Sequence, residues 1–311
     1  MSELRKALYD YLALRRALGF KLRTQGKLLH SFVDYADRQG ITFITRDFAL
    51  RWALSSPHGK LTYCARRLNV VRRFAEYQAG KDPRTDVPPR GLLPARYRRE
   101  LHYVYSEGDV RKLVKAAHQW RSRRGLRGAT FATLFGLLAV TGLRISECLA
   151  LDREDVDLTE GMLHVLQSKF EKSRLVPLHL SARNALNQYA TLRDRIFPRP
   201  KDKRFFISED GAGLSLSHVQ KVFRKLVCRV GLRKPQMEHP PRLHDFRHGF
   251  AIRTLERLYQ TGADVERQLP VLATYLGHVN VVGTYWYLTA TPKLLRLAQL
   301  RSDRNRREAS R

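Results

Sequence analysis

A run of fifteen residues without a charged side chain, ATFATLFGLLAVTGL at positions 129–143, restricts the fold more than any other stretch of this chain. As a helix it would be about 22 Å long, which is shorter than the roughly 30 Å hydrocarbon core of a bilayer. A charged residue, Arg144, follows it directly. The run therefore predicts a buried helix at the centre of a globular domain, with an arginine at its end.

The chain carries a large excess of basic residues. Its 311 residues include 58 Lys and Arg against 29 Asp and Glu, a formal net charge of +29. A protein so far from neutrality repels itself unless it binds a polyanion, and nucleic acid is the first candidate because bound phosphates release counterions. A membrane surface would require a concentrated basic anchor, whereas the basic residues here extend from Arg5 to Arg311. We therefore expect a nucleic acid as the partner and no membrane.

The cysteines indicate a reducing compartment. Cys64, Cys148 and Cys228 lie far apart and form no CxxC pair, so the sequence predicts neither a disulfide framework nor a zinc cluster. The first ten residues, MSELRKALYD, lack the apolar core of a signal peptide. We therefore expect a cytoplasmic protein.

The length and the hydrophobic share of 43% suit two folded domains. Helical periodicity, proline content and charge runs predict four parts: a small helical unit at 1–82, a basic linker at 83–102, a larger domain at 103–296 and a basic tail at 297–311. The end of this tail, RSDRNRREASR at 301–311, is a charge run that is expected to fray in solvent. The fold class that follows is mostly α, with one small antiparallel β-sheet in the larger domain.

Caps and breakers give the expected bounds of the elements. In the first unit, a helical pattern over residues 3–29 precedes a helix that ends at Gly40, and Thr45 is the expected N-cap of the next helix. In the larger domain Ser106 is the expected N-cap of the first helix. We predict helices there at about 107–120, 128–150, 181–196, 215–230, 244–260 and 268–276, and a β-hairpin within 161–180.

The first candidate for chemistry is Arg144, in the segment TGLRISE. A guanidinium at the end of a buried helix needs an acceptor, because its charge cannot be left unpaired in the interior. Two interpretations stay open at this point. Arg144 forms a structural ion pair with Glu147 or Asp152, or it presents its fork to a phosphate while a carboxylate holds it in place.

The second candidate is the segment RLHDFRHGFA. In a helix, His244, Arg247 and His248 share one face. The HxxxH spacing, with Asp245 or Glu238, suits a metal site, but the HExxH pattern is absent and no cysteine is near. An anion site made of one arginine and one histidine fits the residues better.

Two further segments contribute one candidate each. Lys169, in QSKFEKSRLVPL, lies at the tip of the predicted hairpin and is either functional or simply solvated, as is its neighbour Lys172. In YLGHVNVVGTYWYL, helical geometry points residues 285 and 287 about 200° apart, so only one of these tyrosines can face a site. The residue between them, Trp286, is predicted to pack.

Together the candidates comprise two arginines, two histidines, a lysine and a tyrosine, with neither an acidic metal cage nor a GxxxxGK[ST] loop. This set suits phosphoryl transfer without a metal or another cofactor. Arginines stabilise charge on non-bridging oxygens, a lysine or histidine protonates the leaving oxygen, and a tyrosine attacks phosphorus.

Three segments resemble, in order and spacing, the motifs of the tyrosine recombinases, the phage-integrase family of DNA-breaking and joining enzymes. They are TGLRISE, HDFRHGFA and LGHVNVVGTYWY. The resemblance implies that Arg144, His244, Arg247 and His278 are catalytic and that Tyr287 is the nucleophile. It selects Lys169 over Lys172, although Phe170 and Glu171 replace the glycine-rich turn usual in the family. It also makes Tyr285 a packing residue and Glu147 the support of Arg144.

The function that this resemblance implies is site-specific recombination through a 3′-phosphotyrosyl intermediate, without ATP or metal. The implied partner is double-stranded DNA with specific recombination sites, and the implied assembly is a homotetramer on two such sites. The helices of the first unit resemble the core-binding domain of the family in position, size and basic character. The segment TPKLLRLAQL is either a helix given to a neighbouring subunit or one folded on its own domain. A type IB topoisomerase and a DNA-binding protein that no longer cuts are the alternatives.

Overall fold

The computed structural model describes residues 2–56, 59–94, 102–166, 173–289 and 291–309. Contacts divide the chain into two compact units, Met1–Arg99 and Glu100–Arg311. The described residues are mostly helical, with one three-stranded antiparallel sheet in the second unit. This confirms the predicted fold class.

The first unit is built from four helices in its described part: α1 Glu3–Ala17, α2 Arg23–Arg38, α3 Arg46–Leu54 and α4 Leu61–Ala79. Each helix buries an apolar stripe in one shared core, to which Leu8, Phe32, Trp52 and Phe74 contribute. The side chain of Thr45 accepts a hydrogen bond from the backbone N–H of Phe48, so the predicted N-cap is confirmed.

The predicted helix over residues 3–29 is wrong in its extent. The chain leaves the helical conformation after Ala17, where Gly19 has a φ of +84° and Leu22 a φ of +39°, and a new helix begins at Arg23. Because both helices face the same core with an apolar stripe, the helical spacing of apolar residues in the sequence continues across the break and does not mark it. Gly19 is the local signal of the break.

The second unit alternates helices with a short sheet. Its elements are α5 Glu107–His118, α6 Leu126–Thr141, α7 Ile145–Ala150, β1 Val156–Asp157, β2 Met162–Val165, β3 Arg174–Pro177, α8 Leu180–Ile196, α9 Leu216–Arg229, α10 Asp245–Gln260, α11 Val265–Leu276, α12 Val282–Tyr285, a 3₁₀ helix Trp286–Thr289 and α13 Pro292–Ala309. Ser106 caps α5 as predicted, by accepting a hydrogen bond from the N–H of Asp109.

The predicted hairpin is confirmed as β2 and β3, which pair with Val165 opposite Arg174. Strand β1 adds a third, unpredicted strand on the other side of β2, and it is only two residues long. The tip of the hairpin, residues 167–172, includes Lys169 and lies outside the described residues.

The apolar run is a buried helix, as predicted: Leu134, Phe135 and Leu138 in α6 are fully buried. The predicted continuation of this helix to residue 150 is wrong. Gly142 adopts a φ of +62°, ends α6, and lies so close to α10 that an added Cβ would be 2.7 Å from Cδ1 of Phe250. The chain therefore turns at Gly142, and Arg144 lies between two helices instead of within one.

Helix α13 contains the last described residues of the chain. It is one helix from Pro292 to Ala309, so the prediction that the charge run 301–311 frays is wrong for residues 301–309. The helix packs on its own chain, with Leu294 fully buried against α10 and with an ion pair of 2.8 Å from Lys293 to Glu256. Among the described residues, no helix has the length and apolarity needed to cross a bilayer.

Candidate active site

Arg144 occupies the turn between α6 and α7. Its Nη1 donates to Oε1 of Glu147 at 2.8 Å, and its own backbone N–H donates to Oε2 of the same carboxylate at 2.9 Å. The other end of the guanidinium, Nη2, donates to the carbonyl of Gly277 at 3.2 Å. Its side chain is 20% exposed, so the guanidinium is fixed on two sides and still faces solvent.

Glu147 has a second cationic partner, Arg174 of β3. The two carboxylate oxygens accept from Nη1 and Nη2 of Arg174 at 3.1 and 3.0 Å. Burial raises the pKa of Glu147, but the hydrogen bonds from Arg174 and Arg144 outweigh burial, and the pKa lies below its ordinary value. The carboxylate therefore stays ionised beside the two arginines.

Arg247 lies in the first turn of α10 and is only 2% exposed. Its Nη1 donates to the carbonyl of Gly142 at 3.0 Å, and its Nη2 donates to the carbonyl of Leu276 at 2.5 Å. Burial and the neighbouring Arg144 lower its pKa to about 10, so it remains charged at neutral pH. Arg144 and Arg247 thus bind adjacent carbonyls, those of Gly277 and Leu276, at the end of α11.

His278 follows that same turn. Its Nδ1 lies 2.7 Å from Oγ1 of Thr284, which is fully buried. Burial, Arg247 and Arg144 lower the pKa of His278 to about 4, so its ring is neutral at pH 7. The hydrogen bond to Thr284 holds the ring beside the nearby arginines.

His244 lies at the N-terminal end of α10, one turn before His248, and the two rings are 4.7 Å apart. Partial burial, followed by Arg247 and Arg144, lowers the pKa of His244 to about 4. The residue is exposed on its outer face, so solvent screens part of this effect. A neutral imidazole is the expected form in the free protein.

Tyr287 lies in the 3₁₀ helix and is 2% exposed. Its hydroxyl is 3.1 Å from Nδ1 of His248 and is close enough to Arg247 for that guanidinium to act on the phenol electrostatically. Burial raises the pKa of the Tyr287 phenol, while Arg247 and Arg144 act in the opposite direction. The hydroxyl is therefore protonated in the free protein and lies beside the guanidinium that best stabilises its anion.

Tyr285 differs from the prediction. It is 54% exposed, so its assignment as a packing residue is wrong for the single chain. The neighbouring Trp286 packs as predicted, with its ring 5.4 Å from that of His248 and 4.7 Å from that of His102.

One group of described side chains has metal-ligand chemistry: His102, Asp245 and His248 place one ligand atom each within 4.8 Å of the others. The guanidinium of Arg242 already lies there, 3.2 Å from Nδ1 of His102 and 3.8 Å from the Asp245 carboxylate. The imidazoles of His102 and His248 are stacked, with their ring centroids 3.9 Å apart. The group therefore favours packing around the Arg242 guanidinium over binding a metal ion.

The structure thus brings together five of the six predicted catalytic residues, at the junction of α6, α10, α11 and the 3₁₀ helix. The sixth, Lys169, lies outside the described residues. Sequence reasoning missed the contact of Arg174 with Glu147 and that of His248 with Tyr287. The first had no local signal, because 27 residues separate the partners. The second was visible only as a helical face shared with His244.

Acid is expected to destabilise the free protein partly through His248. Burial, followed by His102 and His244, lowers the pKa of His248 to about 3. Below about pH 6.5 the unfolded chain therefore binds a proton at this side chain, whereas the folded chain does not bind it until the pH approaches 3. The contribution of His248 to the free energy of unfolding is fully present above about pH 6.5 and decreases as the pH falls toward 3. Urea unfolding at pH 7 and pH 5 should show that wild type loses about 1–2 kcal/mol more than His248→Gln. Equal losses in the two proteins would show that this histidine is not buried in its neutral form.

Alanine at Gly277 is expected to impair both stability and catalysis. Gly277 has a φ of +68°, and an added Cβ would be 2.8 Å from Nη1 of Arg174. Gly262 is a matched control, because its φ is +72° but nothing lies within 4 Å of an added Cβ. Each alanine should cost about 1 kcal/mol in urea unfolding, while only Gly277→Ala should slow the DNA cleavage that the sequence resemblance implies. Equal cleavage rates in the two variants would contradict the close packing assigned to this turn.

Comparison with known proteins gives concordant results. A model described as the phage integrase family matches residues 104–293. The protein designated integrase/recombinase y4rB of Sinorhizobium fredii is 41% identical over 308 residues, 98% of either chain. The tyrosine recombinase XerD of Caulobacter vibrioides is 31% identical over 226 residues, which cover 72% of this chain and 69% of XerD.

Two solved structures share the fold. The Tn1549 transposon integrase in complex with transposon right end DNA has a TM-score of 0.65 at 16% identity, and the match covers 98% of this chain and 99% of that one. A lambda integrase dimer bound to a COC′ core site has a TM-score of 0.64 at 18% identity, with 92% and 77% covered.

Proposed function

The chain belongs to the phage integrase family of tyrosine recombinases, and from that premise we propose that Tyr287 is the nucleophile with which it cuts and rejoins DNA at specific sites. One arrangement carries the assignment: the buried Tyr287 hydroxyl lies 3.1 Å from Nδ1 of His248, the residue after Arg247 in α10, and Arg247 and Arg144 bind adjacent carbonyls. A phosphodiester seated against both guanidinium groups would present its phosphorus to this hydroxyl.

The reaction has two balanced steps. The Tyr287 oxygen passes its proton to a neutral imidazole, for which we propose His248 at 3.1 Å, and forms a bond to phosphorus. The bond from phosphorus to the 5′-oxygen breaks, and that oxygen takes up a proton, for which we propose Lys169 as the donor. The products are a 3′-phosphotyrosyl link and a free 5′-hydroxyl. The 5′-hydroxyl of the partner strand then attacks the link, and Tyr287 leaves with a proton. The phosphodiester energy is kept in the link, so the scheme requires neither ATP nor a metal.

The other residues stabilise charge. Arg144 and Arg247 would each bind a non-bridging oxygen, whose negative charge grows in the transition state. His244 and His278, neutral at pH 7, would donate ring N–H groups to the same phosphate or assist proton transfer. Thr284 accounts for the orientation of His278, since it takes up one ring nitrogen and leaves the other for the DNA.

We further propose that the first unit forms the second half of a DNA clamp, with residues 1–82 as a core-binding domain and 83–102 as the linker to the catalytic domain. In support of this, a cleft of about 700 Å³ between α4 and residues 89–94 is lined by four arginines, Arg66, Arg72, Arg73 and Arg90. Phosphates are the ligand that such a basic cleft favours. A DNA substrate and the spacing of the cysteines support a cytoplasmic place of action.

A tetramer on two DNA sites is the proposed assembly. The solved lambda integrase tetramer bound to a Holliday junction has the same fold, with a TM-score of 0.64 at 18% identity. In this chain α13 keeps two leucines half exposed, Leu295 at 50% and Leu300 at 57%. A neighbouring copy would cover them if α13 were exchanged between subunits.

The test of the function is a covalent trap. The target is first located by footprinting the full chain across the DNA around its own gene, where we expect paired inverted repeats. A duplex of that site, nicked near the scissile phosphate, should then yield a protein–DNA adduct in EDTA and without ATP. A protein that binds the repeats and yields no adduct would be a non-cleaving accessory protein.

Strand exchange separates recombination from topoisomerase chemistry. Two labelled duplexes that both carry the repeats should exchange strands, and supercoiled DNA without the repeats should stay supercoiled. Relaxation of any supercoiled DNA without exchange would favour the type IB topoisomerase alternative.

DNA binding is expected to weaken steeply with salt. If six or more phosphates are neutralised, affinity should fall about 10³-fold or more between roughly 50 and 200 mM salt. Replacing Arg66 and Arg73 together by alanine should reduce the slope of log affinity against log salt by about two, because two phosphate contacts are lost. Fluorescence anisotropy on a labelled duplex measures both slopes. Identical slopes would exclude the cleft of the first unit from the DNA interface, and a flat wild-type slope would contradict the role of the basic surface.

A further inference from the structure

We propose that Arg174 is a positioning residue that sets the orientation and the effective charge of Arg144 during DNA cleavage. The inference deepens the proposed function and rests on it, because Arg144 is assigned there to the scissile phosphate. Arg174 itself has no assigned role, and it is not one of the six residues of the catalytic set.

Arg174 completes a buried network of three charges. Glu147 is 6% exposed, and the Arg174 side chain is 10% exposed. Each carboxylate oxygen of Glu147 accepts two hydrogen bonds, one from Arg174 and one from Arg144. Every lone-pair direction of the carboxylate is thus taken up, and the Arg144 side chain cannot rotate without breaking this network.

The charge count of the network matters for the phosphate. A carboxylate bound only to Arg144 would cancel the charge of that guanidinium in a site of low dielectric. With Arg174 on the same carboxylate, two cations share one anion and the network keeps a net charge of +1. That surplus is available at the exposed edge of Arg144, where we place the phosphate.

Arg174 also ties together the backbone around the site. Its Nε donates to the carbonyl of Tyr275 at 2.8 Å, and its Nη1 packs against Gly277. Gly277 in turn provides the carbonyl that binds Nη2 of Arg144. Arg174 therefore supports both anchors of Arg144: the carboxylate at one end of its guanidinium and the carbonyl at the other.

The experiment compares cleavage of two substrates by the full-length chain. One is the nicked trap duplex with an ordinary scissile phosphate, and the other carries a methylphosphonate there, which lacks the negative charge that Arg144 would bind. Single-turnover rates are measured for wild type, Arg174→Ala, Arg174→Lys, Arg144→Ala and the double variant Arg144→Ala/Arg174→Ala. The amplitude of each reaction gives the active fraction, so a folding defect is separated from a change in rate.

If Arg174 acts through Arg144, Arg174→Ala should cleave the phosphate about 10²-fold more slowly, with nearly unchanged affinity for the duplex. Its loss on the methylphosphonate should be at least about tenfold smaller, as for Arg144→Ala. In the Arg144→Ala background, removing Arg174 should add little. Arg174→Lys keeps the charge but cannot form the paired bonds, and should be intermediate. If the alanine variant fails to fold, Arg174→Lys tests the inference in its place.

A matched control is Arg193→Ala. Arg193 is another buried arginine of the same unit, 3% exposed, which binds Asp194 and the carbonyl of Arg204. Its removal should lower the melting temperature and leave the ratio of the phosphate and methylphosphonate rates unchanged.

Equal losses of Arg174→Ala on the two substrates, or a full additional loss in the Arg144→Ala background, would show that Arg174 acts only on folding and would overturn the inference. If wild type itself forms no adduct, the proposed function fails and the inference fails with it. If wild type forms the adduct and Arg174→Ala retains its rate, only the inference fails.

Discussion

Replacing Tyr287 by phenylalanine is expected to reduce covalent adduct formation to background. The phenyl ring keeps the packing of this buried side chain among α10, α11 and α13 but lacks the oxygen that attacks phosphorus. The measurement is denaturing electrophoresis of the labelled trap duplex after incubation in EDTA. Affinity for the uncut duplex should be unchanged, because a single hydroxyl contributes little to binding that is dominated by phosphate contacts.

Tyr285→Phe is the matched control for this prediction. Tyr285 lies two residues away in the same segment and loses the same hydroxyl, but it is 54% exposed and α12 carries it away from the buried cluster. This variant should form the adduct at the wild-type rate. The opposite pattern, with adduct lost in Tyr285→Phe and kept in Tyr287→Phe, would reverse the nucleophile assignment.

Replacing Arg247 by lysine is expected to have the second largest effect. Arg247 uses its two terminal nitrogens for the carbonyls of Gly142 and Leu276, and its charge also lowers the pKa of the Tyr287 phenol against the effect of burial. A lysine keeps the charge but has no planar fork, so it cannot serve the two carbonyls and a phosphate together. We expect the single-turnover rate to fall about 10²–10³-fold.

Duplex affinity is the control for the Arg247→Lys variant. It should change less than about threefold, since the variant keeps the positive charge and Arg247 is one of many phosphate contacts. A parallel loss of affinity and rate would mean that Arg247 holds the DNA equally in the ground state and the transition state. A rate equal to that of wild type would remove Arg247 from the catalytic set.

The sequence was sufficient to predict the fold class, the buried helix α6 and the hairpin, and it contains the three motifs in order. These features are local: apolar period, caps at Thr45 and Ser106, and fixed spacings such as that from His278 to Tyr287. Each depends on residues within a few turns of one another, which is the range over which periodicity and capping operate.

Features that depend on tertiary contacts were not predictable in this way. The close approach of Phe250, which leaves no room for a Cβ at Gly142, comes from a residue more than one hundred positions away in the chain. The bond of Arg174 to Glu147 links β3 to α7, and no motif relates them. Tyr285 was expected to pack because the family spacing selects Tyr287 as the nucleophile, yet the short helix α12 turns Tyr285 outward.

The most direct test of the central assignment is to identify the residue that carries the DNA. The trapped adduct is digested with a protease and a nuclease, and the peptide that retains a nucleotide is sequenced by tandem mass spectrometry. We predict that the nucleotide is attached through its 3′-phosphate to the Tyr287 oxygen. A nucleotide on Tyr285, on another residue, or linked through a 5′-phosphate would contradict the account.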